Sequence, residues 1–418
     1  MGGPSGASSG ASGSGSDALA GSASGGVSSS DGGTSLSDGA AVTTPAPTGI
    51  AYGPTSGRRL TRDEYLNTIT DRFGAAASAA AAAAAPLLDD TPHEMAFRND
   101  VTGRTIQPQY ATAYDDAALA VASGVSWSQL AAYASCTTNA SAACQNGFVT
   151  TLGRLMYRRP LTPAEASSLT ALYNGPNAPA NQDPTPFQTG SRLVVQAMLL
   201  SPNFLYQLEM QQAVPPAPPA APTPYEVATR LAMLLWKAGP DAALLDAAAA
   251  GKMATAADIA AQLAPMLADP RARRGVRAFA DDWLGVYVVP NRDLVGGLTP
   301  SVLADMRSET LRFVERLAID DKADLMQLFL DKKTELSPEL SKVYGLMPAG
   351  TTPTAVYDLT SAPNRIGVLT QPAVLGVRAG PAAASIAQRG HWLLNTILCR
   401  DIDPPTQAAL DLGAKVQA

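Results

Sequence analysis

The sequence predicts an all-α, multi-helical protein of consecutive small helical domains packed together, preceded by a disordered N-terminal tail. Hydrophobic residues make up 46% of the 418 residues, and aromatic residues make up only 6%. Much of the hydrophobic share is alanine, which is the strongest helix former. Threonine or serine followed three residues later by Glu or Gln recurs along the chain, which is typical of helix starts. Runs of β-branched residues are few, so strands are weakly indicated.

The first element is a tether over residues 1–57, rich in Gly, Ser, Ala and Thr and without Lys or Arg. Such a segment buries too little apolar surface to offset its ordering entropy, and its end-to-end reach is about 40 Å. Bacterial lipoproteins carry linkers of this kind after a lipidated cysteine. We therefore expect membrane tethering through an N-terminal lipid anchor that precedes the start as given; the alternative is a disordered tail of no consequence.

Helix starts punctuate the chain from Arg58 onward. In the stretch RRLTRDE (Arg58–Glu64), the threonine oxygen can accept the N–H of the third helical residue while the glutamate reaches back to the threonine N–H. The stretch RRPLTPAE (Arg158–Glu165) repeats this pattern with proline at the first helical position, where a missing N–H costs nothing. Further helices are expected to start at Thr223, Thr299 and Ser385.

These starts divide the chain after the tether into four predicted helical domains. They are an N-terminal domain (58–128), a small domain with a local disulfide (129–180), a central domain (181–347) and a truncated C-terminal domain (360–418). The β-branched runs of note are GVYVVP (285–290) and IGVLTQPAVLGV (366–377), and the end of the second run is also compatible with a helix.

Two cysteines suggest an oxidising compartment. Cys136 and Cys144 bracket seven small polar residues, a spacing that suits a local disulfide better than a zinc site. Closing so short a loop would stabilise the fold by about 2–3 kcal/mol, and disulfides persist outside the cytoplasm. The alternative is two buried free thiols. Cys399 has no evident partner: it is either a core residue or pairs with a cysteine beyond Ala418.

Several function classes are excluded by charge and by motif. A net charge of −6 without a dense Lys/Arg cluster argues against nucleic acid as a partner, and no segment is apolar and long enough to span a bilayer. The sequence lacks H-E-x-x-H, C-x-x-C-H, a P-loop and G-x-S-x-G, which excludes a zincin site, covalent haem in this chain, a P-loop NTPase and an α/β-hydrolase. We assign no catalytic, cofactor-binding or metal-binding residue.

Asp281 and Asp282 form one of several acidic pairs and precede Trp283. A glycosidase needs two carboxylates that face one cleft, but neighbours on a helix point about 100° apart. The favoured interpretation is therefore solvation on a helix surface; the alternative is that one aspartate is partly buried beside the indole.

Arg389, His391 and Trp392 form the most chemically mixed cluster. Arg389 and Trp392 would lie three apart on one helix face, where a cation–π contact fits. His391 is a candidate haem or metal ligand, against the ordinary interpretation as a polar or core residue.

Six ordered stretches resemble one known architecture. They are GRRLTRDEYLNTITDRFG, FVTTLGRLMYRRPLTPAEASSLTALY, LVVQAMLLSPNFLYQLE, TPYEVATRLAMLLWKAG, RARRGVRAFADDWLG and RIGVLTQPAVLG…QRGHWLLNTILC. Together they span residues 58 to 405 and resemble large exported proteins of planctomycetes and myxobacteria, which are built from consecutive domains of unknown function and often associated with c-type cytochrome modules.

The resemblance implies a helical periplasmic or cell-surface protein, commonly a lipoprotein. Relatives continue past the block seen here as ILCRDIDPP into a segment with a C-x-x-C-H haem motif, which this sequence lacks. Haem c is therefore expected either in a missing C-terminal segment or in a separate protein partner, a cytochrome-type module. The double arginines, here Arg58-Arg59 and Arg158-Arg159, suit bidentate pairing with carboxylates at domain junctions.

Three functions agree with these observations. The first is an extracytoplasmic scaffold or binding protein that acts beside a cytochrome-type redox or polymer-degrading system, which the absent catalytic motifs favour over an enzyme. The alternatives are a polysaccharide-acting enzyme that uses carboxylates not identifiable from sequence, and a redox accessory whose haem-bearing C-terminal segment is absent. Two carboxylates converging in a cleft with aromatic walls would favour the enzyme.

Overall fold

The structure is a computed structural model of the chain, and helices dominate the part that it describes. The described residues are 57–84, 97–99, 108–134, 141–174, 186–209, 221–291, 298–346, 354–362, 364–379 and 385–400. The predicted all-α fold is confirmed. All of the predicted tether except Gly57 lies outside the described residues, as do Cys136 and His93.

The N-terminal cluster contains the helices before residue 209. In chain order these are α1 (Arg62–Phe73), α2 (Ala75–Ala84), α3 (Pro108–Gly124), α4 (Trp127–Ala131), α5 (Ala142–Met156), α6 (Pro163–Ala171), α7 (Pro186–Leu200) and α8 (Pro202–Leu205). A 3₁₀ turn, Leu172–Asn174, follows α6. Tyr65 of α1, Phe148 of α5 and Phe204 of α8 belong to one hydrophobic core and are at most 1% exposed.

The middle cluster is built around Trp236. Its helices are α9 (Pro224–Leu235), α10 (Ala242–Ala249) and α11 (Ala256–Ala268). The Trp236 indole N–H donates to the carbonyl oxygen of Met266 at 3.1 Å. The Arg271 guanidinium lies 3.7 Å from the centroid of the Trp236 ring and pairs with Asp241 and Asp269, which fixes the chain at the start of the next helix.

The C-terminal cluster contains the helices after residue 271. They are α12 (Ala272–Leu284), α13 (Pro300–Glu315), α14 (Gln327–Leu330), α15 (Pro338–Val343), α16 (Pro372–Val377) and α17 (Ile386–Trp392). 3₁₀ turns occupy Val286–Asn291, Leu359–Ser361 and Val368–Thr370, and π-helical turns occupy Arg316–Asp320 and Leu393–Ile397. α12 approaches α9 so closely that a Cβ at Gly275 would lie 2.5 Å from the Leu235 carbonyl oxygen.

Strands form two small antiparallel pairs in the described residues, and neither lies in the β-branched runs. β1 (Arg58–Arg59) pairs with β2 (Tyr206–Gln207), and β3 (Lys333–Leu336) pairs with β4 (Ala355–Asp358). The run at 285–290 forms a 3₁₀ turn instead, which buries Val286 and Val289 completely. The run at 366–377 forms a 3₁₀ turn followed by α16, so only its helical end was anticipated.

The predicted helix starts are confirmed. The hydroxyl oxygens of Thr61, Thr162 and Thr223 each accept the backbone N–H three residues on, and a glutamate there accepts the threonine N–H in return. Thr299 and Ser385 also cap their helices, α13 and α17. Each cap satisfies N–H groups that have no partner inside the helix.

The predicted division into domains stays a prediction, and the hydrophobic cores group the helices differently at one point. The proposed boundary at residue 180 separates α5 and α6 from α7 and α8, yet Val194 and Met198 of α7 are fully buried in the same core as Phe148 and Leu152 of α5. None of the helices in the described part of the chain combines the length and the apolar character that a bilayer crossing requires.

Candidate functional site

The double arginines belong to two equivalent hydrogen-bonded units. We call Arg58, Thr61 and Glu64 the first arginine box. Arg58 donates from Nη1 to Oε2 of Glu64 at 2.6 Å and from Nη2 to Oε1 at 3.1 Å. The Thr61 N–H donates to Oε2 of Glu64 at 2.9 Å, so one carboxylate joins the arginine to the helix cap.

The second arginine box, Arg159, Thr162 and Glu165, has the same connections. Arg159 donates from Nη1 to Oε2 of Glu165 at 2.9 Å and from Nη2 to Oε1 at 2.8 Å, and the Thr162 N–H donates to Oε2 at 2.8 Å. In both boxes the arginine lies six residues before the glutamate. The similar sequences RRLTRDE and RRPLTPAE therefore form the same local structure twice.

Both boxes contact the same short segment of chain. Arg58 Nη2 donates to Gln207 Oε1 at 2.9 Å, and Arg159 Nη2 donates to Asn203 Oδ1 at 3.2 Å. Arg158 lies between the boxes with φ +60° and donates to three backbone carbonyl oxygens of this segment, those of Asn203, Phe204 and Tyr206. The arginines thus fasten α8 and β2 to the starts of α1 and α6.

Arg158 and Arg159 also line a small cavity of about 430 Å³. Burial lowers the pKa of Arg158 to about 10, which leaves it charged at neutral pH. Arg159 is held by Glu165, and Glu209 on the same wall is held by Arg230 at 2.6 Å. The predicted carboxylate pairing is found for Arg159, whereas Arg158 binds backbone carbonyls.

A larger cavity of about 860 Å³, here called the aromatic cavity, lies in the C-terminal cluster. It opens between α12, the 3₁₀ turn after it, α16, α17 and the π-helical turn Leu393–Ile397. Its lining residues are Phe97, Asp282, Trp283, Gly285, Tyr287, Val288, Val377, Arg378, Ala387, Gln388, His391, Trp392, Asn395 and Thr396. Three of the sequence candidates, Asp282, His391 and Trp392, therefore meet in one place.

Local sequence explains how two segments reach this cavity. α12 ends at Gly285, which has φ +70°, a left-handed conformation that glycine adopts without strain. The chain then turns so that Tyr287 and Trp283 line the same cavity. On the opposite side α17 continues into the π-helical turn, which brings Asn395 and Thr396 to the lining; π-helical turns frequently occur at functional sites.

Asp281 and Asp282 are not solvated, which corrects the interpretation favoured from the sequence. Arg98 donates from Nη2 to Asp281 Oδ2 at 2.6 Å and from Nε to Asp282 Oδ1. Arg307 donates to both oxygens of Asp281 at 2.8 and 2.6 Å. The side chains of the two aspartates are 2% and 7% exposed. Both carboxylates bind the guanidinium of Arg98, and Arg307 covers Asp281 as well, so the expected divergence of the two side chains does not keep them apart.

This cluster balances two negative and two positive charges. Burial raises the pKa of Asp282 although Arg98 opposes that effect. Burial also disfavours the charged form of Arg98, but Asp281 and Asp282 outweigh it and raise the pKa of Arg98. The hydrogen bonds with Asp281 raise the pKa of Arg307. Because all four groups are mutually satisfied, the cluster braces one wall of the cavity and presents little net charge to it.

Arginines also stack on the aromatic walls. Arg98 lies 5.1 Å from the centroid of the Tyr287 ring. Arg378 lies 5.5 Å from the centroid of the Trp392 ring, so the predicted cation–π contact exists with a different arginine. Arg389 instead donates to the carbonyl oxygen of Leu375 at 3.0 Å and ties α17 to α16.

The remaining candidates lie apart from the cavity or outside the described residues. Cys144 is buried at the start of α5, and Cys136 lies outside the described residues, so their bond stays a prediction. Cys399 is exposed and is the free cysteine of the described part of the chain. No group of three or more His, Cys, Asp or Glu side chains there could hold a metal ion, and the sequence offers no C-x-x-C-H for haem c.

Sequence reasoning missed several residues that build the cavity. Phe97, Arg98, Arg307 and Arg378 had no local pattern that marked them, since each acts on residues distant in sequence. One signal was available: Phe279 and Trp283 are four residues apart, a spacing that puts two aromatic side chains on one helix face beside Asp282.

Three family models match consecutive parts of the chain. PSD3, a protein of unknown function (DUF1587), matches residues 58–126. PSD5, a protein of unknown function (DUF1595), matches residues 144–209, and PSD4, a protein of unknown function (DUF1592), matches residues 223–346. No curated protein and no solved structure is similar enough to count as a match. The chain therefore carries three consecutive domains of unknown function in this order.

Proposed function

We propose that this protein is a non-catalytic binding protein whose ligand occupies the aromatic cavity. The observation behind this proposal is the cavity itself, with about 860 Å³ of space, a volume typical of small-molecule sites. Aromatic rings of Phe97, Trp283, Tyr287 and Trp392 form its walls. Polar side chains at its rim, such as Asn395, add the few directional contacts that fix a ligand's orientation.

The carboxylates of the site argue for binding over hydrolysis. A glycosidase places two carboxyl groups on opposite sides of the scissile bond. Among the described lining residues Asp282 is the acidic one, and its Oδ atoms accept hydrogen bonds from Arg98. Asp281 pairs with Arg98 and Arg307 away from the lining. The arrangement lacks a second carboxylate poised across the cavity in the described residues.

Tryptophan fluorescence tests the proposal, because Trp283 and Trp392 line the cavity while Trp127 and Trp236 do not. We expect a flat-faced probe, either cellobiose or resorcinol, to change the emission of the full chain saturably. The Trp283→Phe variant should lose most of this change and Trp127→Phe should keep it. A response that persists in Trp283→Phe but disappears in Trp127→Phe, or no saturable response to either probe class, would overturn the proposal.

The proposed setting is the periplasm or cell surface, with lipid tethering and a cytochrome-type module as partner. Its support is the tail composition, the resemblance and the Cys136–Cys144 spacing. The disulfide proposal has a direct test: thiol titration of the denatured, unreduced protein should give one reactive thiol, that of Cys399, and three after reduction. Three thiols before reduction would contradict the disulfide.

A further inference from the structure

The wall of the aromatic cavity continues onto the protein surface through Phe279. The centroid of the Phe279 ring lies 5.7 Å from that of Trp283 with 23° between the planes. The centroid of the Phe97 ring lies 5.8 Å from that of Phe279 with 25° between the planes. Phe97 and Trp283 line the cavity and Phe279 does not, so Phe279 continues the aromatic lining beyond the cavity.

This surface is unusually exposed for aromatic side chains. Phe97 is 40% and Phe279 52% exposed, and they are the exposed phenylalanines of the described residues. Phenylalanine is among the residue types most often fully buried, and a cluster of exposed apolar groups marks an interaction site more often than chance.

The residues that α17 and its π-helical continuation add to the lining are mostly polar, with Trp392 among them. Gln388, His391 and Asn395 line the cavity at spacings of three and four residues, which places them on one face of α17 and its π-helical continuation. A ligand in the cavity would therefore meet both flat aromatic rings and hydrogen-bonding groups. Among the described lining residues the charges are one acidic and one basic side chain, Asp282 and Arg378, which favours a ligand without net charge.

We propose, resting on the proposed binding function, that the ligand is a neutral polysaccharide chain. One sugar ring lies in the aromatic cavity against Trp283, and the next ring lies over Phe279 on the surface. A pyranose ring has an apolar C–H face and a polar edge of hydroxyl groups, which matches a lining of aromatic rings and polar side chains. A chain of such rings also explains why the aromatic surface continues outside the cavity, which a ligand of one ring would not use.

Ligand length is the variable that tests this proposal. Isothermal titration of the full chain with glucose and with cellohexaose compares a single neutral sugar ring with a chain of such rings. We expect the wild-type protein to bind cellohexaose more tightly. In Phe279→Ala the affinity for cellohexaose should fall about threefold to tenfold, since one aromatic contact is removed, while the affinity for glucose, which occupies only the cavity, should stay unchanged. Leu119→Ala, which truncates an equally exposed side chain far along the sequence on α3, is the matched control.

Each other outcome has a defined meaning. If resorcinol binds in the cavity and neither sugar does, the polysaccharide proposal is wrong while the binding function stands. Equal effects of Phe279→Ala on both sugar lengths would also overturn it. If sedimentation velocity shows that Phe279→Ala dissociates an oligomer, the surface is an interface between copies of this chain and the proposal falls. Failure of every probe removes the binding function itself.

Discussion

The two arginine boxes share their hydrogen bonds but differ in burial. In the first box the side chains of Arg58 and Glu64 are 12% and 0% exposed; in the second box those of Arg159 and Glu165 are 27% and 22% exposed. Burial raises the pKa of Glu64, yet the charge and hydrogen bonds of Arg58 outweigh this and the net pKa is lowered. The same sequence pattern therefore gives one geometry and two different electrostatic environments.

This difference shows that a repeated motif predicts the local hydrogen bonds better than it predicts their contribution to the free energy of unfolding. The cap and the six-residue spacing act locally and recur unchanged. The contribution of each box to stability depends on its burial. A fully buried charge must keep its partner, whereas an exposed charge can be solvated by water. The comparison predicts unequal effects for substitutions of equivalent residues.

Glutamate truncation should give the largest difference. Glu64→Ala leaves Arg58 nearly buried without its carboxylate, and the free energy of unfolding should fall by about 3–5 kcal/mol. Glu165→Ala should lower it by only about 1 kcal/mol, because the second box is partly solvated, so that water screens its ion pair and can solvate Arg159 when the carboxylate is removed. Urea denaturation of both variants measures these losses, and equal losses would refute the role assigned to burial.

Threonine truncation should give a smaller effect that is the same in both boxes. Thr61 and Thr162 accept the N–H of Glu64 and Glu165 at 3.1 and 3.2 Å. Replacement of either threonine by alanine should therefore cost about 1 kcal/mol of folding free energy. Two losses that differ as much as those of the glutamate variants would mean that the caps, and not only the ion pairs, depend on burial.

The pH dependence of the second box should be the smallest effect. The hydrogen bond from Arg159 lowers the pKa of Glu165 from 4.5 to about 2. A carboxyl group with a lowered folded pKa stabilises the protein fully above pH 4.5, and this contribution is lost as the pH falls toward 2. The stability difference between wild type and Glu165→Gln should thus shrink from pH 6 to pH 3. A difference that grows on acidification would contradict the ion pair.

The sequence was informative where structure depends on neighbours along the chain. The threonine caps and the all-α class depend on residues within a few positions, and these predictions hold. The β-branched run at 285–290, which weakly indicated a strand, forms none. Its valines pack into the C-terminal core from a 3₁₀ turn. β-Branched residues favour strands only where a pleated surface is available to pack against.

The aromatic cavity was predictable only in fragments. Asp282, His391 and Trp392 were each noticed, but Arg98 contacts Asp282 across 184 residues of chain, a distance at which no spacing pattern operates. The same separation explains why Asp281 and Asp282 seemed to be surface residues. Local reasoning expected their side chains to diverge into solvent, whereas tertiary packing supplies Arg98, which binds both carboxylates.

The arginine boxes and the aromatic cavity differ in whether their side chains are satisfied within the protein. The boxes use their charges on one another and on the backbone, so they hold the fold together. Phe97 in the cavity and Phe279 beside it are instead exposed to solvent, and exposed apolar patches mark interaction sites.

A crystal structure of the chain soaked with cellohexaose tests this claim most directly. The account predicts electron density for one sugar ring against Trp283 in the aromatic cavity and for the next ring over Phe279. Sugar density in the smaller cavity beside Arg158 and Arg159, with the aromatic cavity holding only water, would contradict it.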